Sequence, residues 1–461
     1  MQLSRMFHSR ALVPAEHRSN FLHLYFDIAW FGVLNGSFIA FSAVYLTRVG
    51  ATARQLSLFG ALPALVALVA ALPAGYWLKN RRLDKTVFWS AALYRVYYLA
   101  WLPIITLIPA AFQTNSVLLL TFIMSGPATI LAIGFNSLFA ELVPPEWRNH
   151  VIGIRHALLA IASILSALLC GYILDNTAFL TGYQIVFGLA AFCGVMSSVH
   201  LWFIRLPEAP NRRIKHAPYL KEPGQPDAFP ASGQARPPFG WRYLRRRRQL
   251  RLPRLSILRG DFGRAMAVLG FFFVALYVPN ALYYPYWVGE LGYSDQLISF
   301  GQALFYVCQF LSASQLARIA TWLGDRRSLA LGAVLLAAYP GFTAIWPAPA
   351  GYLLSSAFSG IGWGIAGGAI LTYLLRLVPA DERPRYMSWY SLLTNLAILI
   401  GSLLGPLFGD WLGLRLGLGT AGIIRFLAGL IILWFGANVG VDTADDDDEG
   451  ADDELSGEFA A

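Results

Sequence analysis

One stretch of this chain occurs twice. Leu142-Val143-Pro144-Pro145-Glu146-Trp147-Arg148 returns as Leu377-Val378-Pro379-Ala380-Asp381-Glu382-Arg383, and the apolar run behind it ends on Asp175 and again on Asp410, at one constant offset and without a gap. Upstream, Gln55-Leu56 with Phe59-Gly60 is echoed by Gln296-Leu297 with Phe300-Gly301, and Trp77-Leu78-Lys79-Asn80-Arg81-Arg82 by Trp322-Leu323-Gly324-Asp325-Arg326-Arg327. Two copies in the same order describe a duplicated half of roughly 200 residues, a period too long for a solenoid. The chain is therefore expected to fold as two alike halves.

The solvent of those halves follows from composition. Hydrophobic residues make up 57% and charged residues only 13%, about half the charged fraction of an ordinary soluble domain. Such a chain belongs in a bilayer. Cys170, Cys193 and Cys308 all lie inside apolar runs, where a thiol serves as a small hydrophobe, and form no disulfide or metal pattern. No nucleotide-binding glycine loop, zinc helix or nucleophile elbow is present, so no enzyme, cofactor or metal site is expected.

A helix needs about 20 mostly apolar residues to cross. The first half offers runs near 21–47, 55–78, 86–109, 116–140, 151–175 and 182–204, and the second near 264–288, 296–320, 328–347, 350–375, 386–411 and 417–438. The expected fold is all-α and integral to the membrane, with twelve transmembrane helices in two six-helix, pseudo-symmetric halves. Its parts are an N-terminal bundle over 1–206, a linker over 207–260, a C-terminal bundle over 261–440 and a disordered acidic tail over 441–461. With the N-terminus inside, Lys79, Arg81, Arg82, Lys85, Arg148, Arg155, Arg326, Arg327, Arg383 and Arg385 all fall on the cytoplasmic side with the basic linker, leaving little besides Arg48, Arg54 and Arg415 opposite. That bias sets both termini in the cytoplasm of a cell (cytoplasmic or inner) membrane.

The linker begins rich in proline and passes into Trp241-Arg242-Tyr243-Leu244-Arg245-Arg246-Arg247-Arg248, a mixture that either lies on anionic lipid or simply anchors the cytoplasmic face. Nucleic acid is not an expected partner, because the polar segments leave no room for a folded reader.

Two repeated halves of six spans, a long cytoplasmic linker, and a basic turn after the second span with its counterpart after the eighth resemble the major facilitator superfamily. The family's turn runs Gly-x-x-x-Asp-Arg-x-Gly-Arg-Arg. Here Gly75, Arg81 and Arg82 are kept with Lys79 where Asp is expected, and Asp325 and Arg326 are kept with Thr321 in place of the leading glycine. The resemblance implies a monomeric secondary active transporter that moves a small-molecule substrate by alternating access about a central site, with a proton or cation as coupling ion. It also implies that Gly75, Arg81, Arg82, Asp325 and Arg326 act as cytoplasmic gating turns. Two other functions stay open: a membrane sensor or scaffold that has lost transport, and a flippase of lipid or lipid-linked glycan.

The family's first and fourth helices of each half line the path, which directs attention to Asn35 and Ser37, Asn136, and Asn280 as substrate or coupling residues. Each has the alternative of a helix-to-helix hydrogen bond. Tyr283-Tyr284-Pro285-Tyr286-Trp287 reads either as a ligand stack or, more simply, as an interfacial aromatic belt. The stripe Ser356, Gly360, Gly364, Gly368 reads as a smooth packing face. Asp27 and Arg95 stand at one depth in the first and third spans, and a charge in lipid seeks a partner, so a pair between them is expected, either static or opened during the cycle. Arg155, His200 and Arg376 are expected to snorkel to the cytoplasmic surface.

Overall fold

The computed structural model describes residues 15–78, 81–206, 258, 260–378 and 383–437. The basic linker segment and the acidic tail lie outside them.

Because lipid offers the backbone no hydrogen bonds, each apolar run must close its own ladder as a helix. The described residues form twelve helical rods. In the first half α1 covers 15–48, followed by α2 Ala53–Leu78, α3 Leu83–Leu107, α4 Ala110–Leu142, α5 Pro145–Asn176 and α6 Phe179–Phe203. In the second, α7 covers Asp261–Glu290, α8 Asp295–Ser314 with the short extension Leu316–Leu323, α9 Asp325–Ile345, α10 Pro349–Leu377, α11 Arg383–Leu412 and α12 Leu414–Phe435.

Eleven of these are long and apolar enough to cross a membrane. The exception is α3, as long as α6, whose Arg95 and neighbouring Tyr94, Tyr97 and Tyr98 lower its hydropathy. Gly413, at φ 78°, makes the joint between α11 and α12, a left-handed backbone that only glycine adopts without strain. Ser294 caps α8, its hydroxyl accepting from the Leu297 N–H at 3.2 Å.

Within each half the same neighbours recur. Helix α1 packs on α5 and α6, α2 on α4, and α3 on α4 and α6; correspondingly α7 packs on α11 and α12, α8 on α10, and α9 on α10 and α12. Small residues permit the close crossings. A Cβ on Gly36 of α1 would run into the Ser163 carbonyl of α5, and the Gly360, Gly364 stripe of α10 lies directly against the α8 backbone at Phe305 and Gln309. On α11, Gly401 and Gly405 face the carbonyls of Val274 and Val278 on α7, so these two glycines also serve packing.

The halves meet along two related seams, α5 against α8 and α2 against α11. Their joining is uneven along the bundle. At the end where α1 runs into α2, which we call the hairpin end, one apolar core holds side chains of both halves, among them Phe38, Tyr45, Trp101 and Phe187 with Tyr286, Trp287 and Tyr352. At the opposite, linker end each half has its own separate core: Phe21, Leu24, Val87 and Leu201 in the first, Phe262, Leu269, Tyr373 and Ile432 in the second.

Candidate functional site

The first half carries a buried ionic centre at the linker-end side of its middle. Asp27 of α1, Arg95 of α3 and Arg155 of α5 are each only 5% exposed. Asp27 Oδ2 faces Arg155 Nη1 and Nη2 at 3.4 Å each, while its Oδ1 accepts from the Ser197 hydroxyl of α6 at 2.7 Å. Ser197 in turn accepts from Arg95 Nη2 at 3.0 Å. Arg155 also donates to the Leu24 carbonyl at 2.5 Å and lies over the Phe135 ring of α4.

Arg95 reaches the centre because Gly194 on α6 has no side chain to block its stem, and its guanidinium sits among the rings of Phe31, Tyr94 and Tyr98. Those faces partly solvate the cation. Its Nε and Nη1 make no hydrogen bond.

The expected contact between Asp27 and Arg95 is thus indirect, with Ser197 between them, and the direct partner of Asp27 is Arg155. Arg155 does not snorkel: the α1 carbonyl of Leu24 and the α4 ring of Phe135 close over it. It shares one buried face of α5 with Val151, Ser163 and Ala167. Arg376, by contrast, is open to solvent at the end of α10, as expected, and is also paired. Its Nε lies 2.8 Å from Asp325 Oδ2, an ion pair between the end of α10 and the start of α9.

One turn toward the linker end from Asp27 and Ser197, His23 and His200 meet Nδ1 to Nδ1 at 3.0 Å, flanked by Phe203 and Phe26. Only one of the two nitrogens can carry the shared proton.

A second polar cluster joins the halves at mid-height. Asn35 opens a π turn, Asn35–Ile39, in α1, the kind of local break that often marks functional positions. Its Nδ2 donates at 3.0 Å both to Ser163 Oγ on α5 and to the Tyr306 hydroxyl on α8. Gln302 of α8 donates to the Ala40 carbonyl at 3.2 Å. The equivalent helix α7 has its own π turn, Pro285–Glu290.

The remaining expected residues lie apart from these clusters. Ser37 bonds back to the Val33 carbonyl of its own helix at 2.7 Å, and Asn136 likewise to Ala132 at 2.9 Å; Asn280 is exposed. In the basic turns Arg82 pairs with Asp84 at 2.9 Å, Arg81 stacks on Trp77, Arg326 donates to the Gly436 carbonyl at 3.1 Å, and Gly75 belongs to the last turn of α2.

The belt reading of the aromatic cluster is overturned. Tyr283, Tyr286 and Trp287 are buried, with Trp287 packed on Tyr283 and Tyr352 at 4.9 Å each, because they point into the core shared by the halves. Sequence reasoning also passed over Arg425, 2% exposed and in the middle of α12, which donates to the carbonyls of Leu336 on α9 and Leu276 on α7. A single arginine amid an otherwise apolar run was its signal.

Two alike helical halves, joined at one end and carrying buried charge and a mid-height polar cluster, define a membrane protein of the carrier type. The sequence matches the major facilitator superfamily over residues 28–280 and 266–456, and the chain belongs to that family. Among solved structures it is similar to a D-xylose-proton symporter (15% identity, 90% of this chain and 97% of that one, TM-score 0.63). It is likewise similar to a bacterial homologue of the iron transporter ferroportin in an inward-facing state (14%, 92% and 98%, TM-score 0.65). A third is the nucleoside transporter NupG (10%, 90% and 98%, TM-score 0.62). No curated protein matches the sequence.

Proposed function

We propose that this protein is a secondary active transporter, a carrier rather than an enzyme, that moves a small solute across the cytoplasmic membrane by alternating access. The observation that carries the reading is the uneven joining of the halves: hydrogen bonds and a common core bind them at the hairpin end, while at the linker end their cores are separate. A bundle built that way can rock about its middle. The arginine bias assigns the linker end to the cytoplasm, so this arrangement is closed to the outside. Fusions of a topology reporter after Lys85, Lys221 and Val441 should all read cytoplasmic, and an external reading at Lys221 would sink the sidedness.

The mid-height cluster of Asn35, Ser163 and Tyr306 is our candidate for solute contact, since it bridges the two halves where a central site would lie. The ionic centre around Asp27 is our candidate for coupling to a proton or cation gradient. Xylose, nucleoside and iron in the names of the similar structures span unrelated solute chemistries, so the fold leaves the substrate open. The deciding experiment is reconstitution into liposomes with an imposed proton or sodium gradient and a panel of labelled solutes. Gradient-driven accumulation that fails in Asp27→Asn, while that variant still exchanges solute, supports the reading. Scrambling of labelled lipid without solute uptake would favour a flippase, and a folded protein that does neither would favour a sensor.

A further inference from the structure

We infer that the ionic centre of the first half binds an anionic oxygen group of the transported solute, a carboxylate or a phosphoryl group, through Arg95. The inference rests on the transport reading for the identity of the ligand, and on the following geometry for its charge.

The first argument is charge balance. Arg95, Arg155 and Asp27 are buried to the same degree within one bundle, and they sum to one excess positive charge. Arginine does not shed its proton in a protein, so the excess cannot be relieved by titration, as it could for a histidine or lysine. Other buried acids do not supply the missing charge: Asp295 pairs with Arg48 and Asp325 with Arg376. In the second half Arg425 adds a further buried cation, held by carbonyls and paired with no carboxylate among the described residues. The interior is electropositive in a medium where an unbalanced charge is expensive.

The second argument is the state of the Arg95 guanidinium. Its Nη2 is used by Ser197, but Nε and Nη1 have no acceptor. Arg155 by contrast is spent, both its Nη atoms engaged on Asp27 and Leu24. Rings of Phe31, Tyr94 and Tyr98 surround Arg95; they attract the cation but supply no lone pair in the N–H plane. An oxyanion meets both needs at once, taking the idle donors and cancelling the excess charge. A neutral sugar-like hydroxyl would take the donors and leave the charge.

Ser197 gives this binding a consequence. Among the described residues it is the link between Arg95 and Asp27, so drawing Arg95 toward an anion loosens the hydroxyl that holds Asp27 Oδ1. Solute arrival and the freeing of a carboxylate for a coupling cation are thereby connected through a single side chain.

The test is a thermal-shift titration of the purified full-length protein with sodium acetate, sodium phosphate and sodium chloride at fixed ionic strength. The expected result is a saturable rise in Tm with acetate or phosphate and only a shallow, non-saturating response to chloride. Arg95→Gln should weaken the saturable response about tenfold or more, the range for loss of a charge-assisted hydrogen bond. Should Arg95→Gln not fold, Arg95→Lys keeps the charge and loses the planar fork, and the same weakening is expected in direction. No saturable effect of either oxyanion on the parent protein, or an equal effect in the Arg95 variants, overturns the inference. Because binding is read without transport, accumulation of a neutral or cationic solute would defeat this inference and leave the carrier reading standing. Anion binding in a protein that transports nothing would do the reverse.

Discussion

Asp175 and Asp410 end the two copies of the duplicated helix, and each reaches across to the opposite half. Asp175 on α5 accepts from the backbone N–H groups of Asp295 and Gln296 at the start of α8, at 2.9 and 3.2 Å, and Asp410 on α11 pairs with Arg54 at the start of α2 at 2.7 Å. The same position in each repeat thus closes one of the two seams at the hairpin end. The two closures differ in kind. Asp175 sits on a helix N-terminus in a site that also holds Arg48, Tyr183 and Asp295, whereas Arg54 and Asp410 are open to solvent.

That difference predicts unequal effects on the conformational equilibrium. A carboxylate at a helix N-terminus is worth about 0.3–2 kcal/mol, and an exposed ion pair about 0–1 kcal/mol. Asp175→Asn should shift the population toward a state open at the hairpin end more than Asp410→Asn does. Spin labels on Thr52 and Glu290, in a background without the native cysteines, measure it; a larger long-distance population for Asp410→Asn would refute the ranking.

The Asp27 and Arg155 pair is buried, and removing one member of such a pair typically costs about 3–5 kcal/mol. Arg155→Leu should therefore lower Tm sharply. Asp27→Asn combined with Arg155→Leu should recover part of the loss, because no unmatched carboxylate remains. Additive losses in the double variant would mean that the two side chains do not interact energetically.

Tyr306→Phe removes the hydroxyl that accepts from Asn35 across the halves. The expected loss of stability is small, about 0.5–1.5 kcal/mol, while solute affinity should fall if this cluster touches the solute. Unchanged affinity together with the small stability loss would reduce the cluster to a structural stitch.

Gly171 and Gly126 provide a matched contrast on neighbouring helices. A Cβ on Gly171 would collide with Ser299 and the Asp295 carbonyl in the α5–α8 seam, whereas one on Gly126 meets nothing within 4 Å. Gly171→Ala should wedge the seam and open the hairpin end, which the same pair of spin labels reports. Gly126→Ala should leave the distances and the Tm as in the parent; the opposite ranking would mean that the seam yields.

Helix, membrane and duplication were legible in the sequence because each is a property of one dimension. An apolar run long enough to cross lipid has only the helix available to it, and a repeat is visible without any fold. Depth was legible too, at about 1.5 Å per residue, which is why Asp27 and Arg95 were recognised as lying level. Rotation about each helix axis, and the choice of neighbouring helix, were not. Those depend on how small residues such as Gly36, Gly171 and Gly194 let particular helices approach. Only the packed structure decided that Arg155 turns inward to meet Asp27, that Ser197 stands between Asp27 and Arg95, that Tyr283 and Trp287 face the core instead of lipid, and that Asp175 lands on the start of α8. The physical reason is that a partner in lipid is chosen by azimuth and by contact between helices far apart in the chain, and neither is recorded in the local pattern of residues.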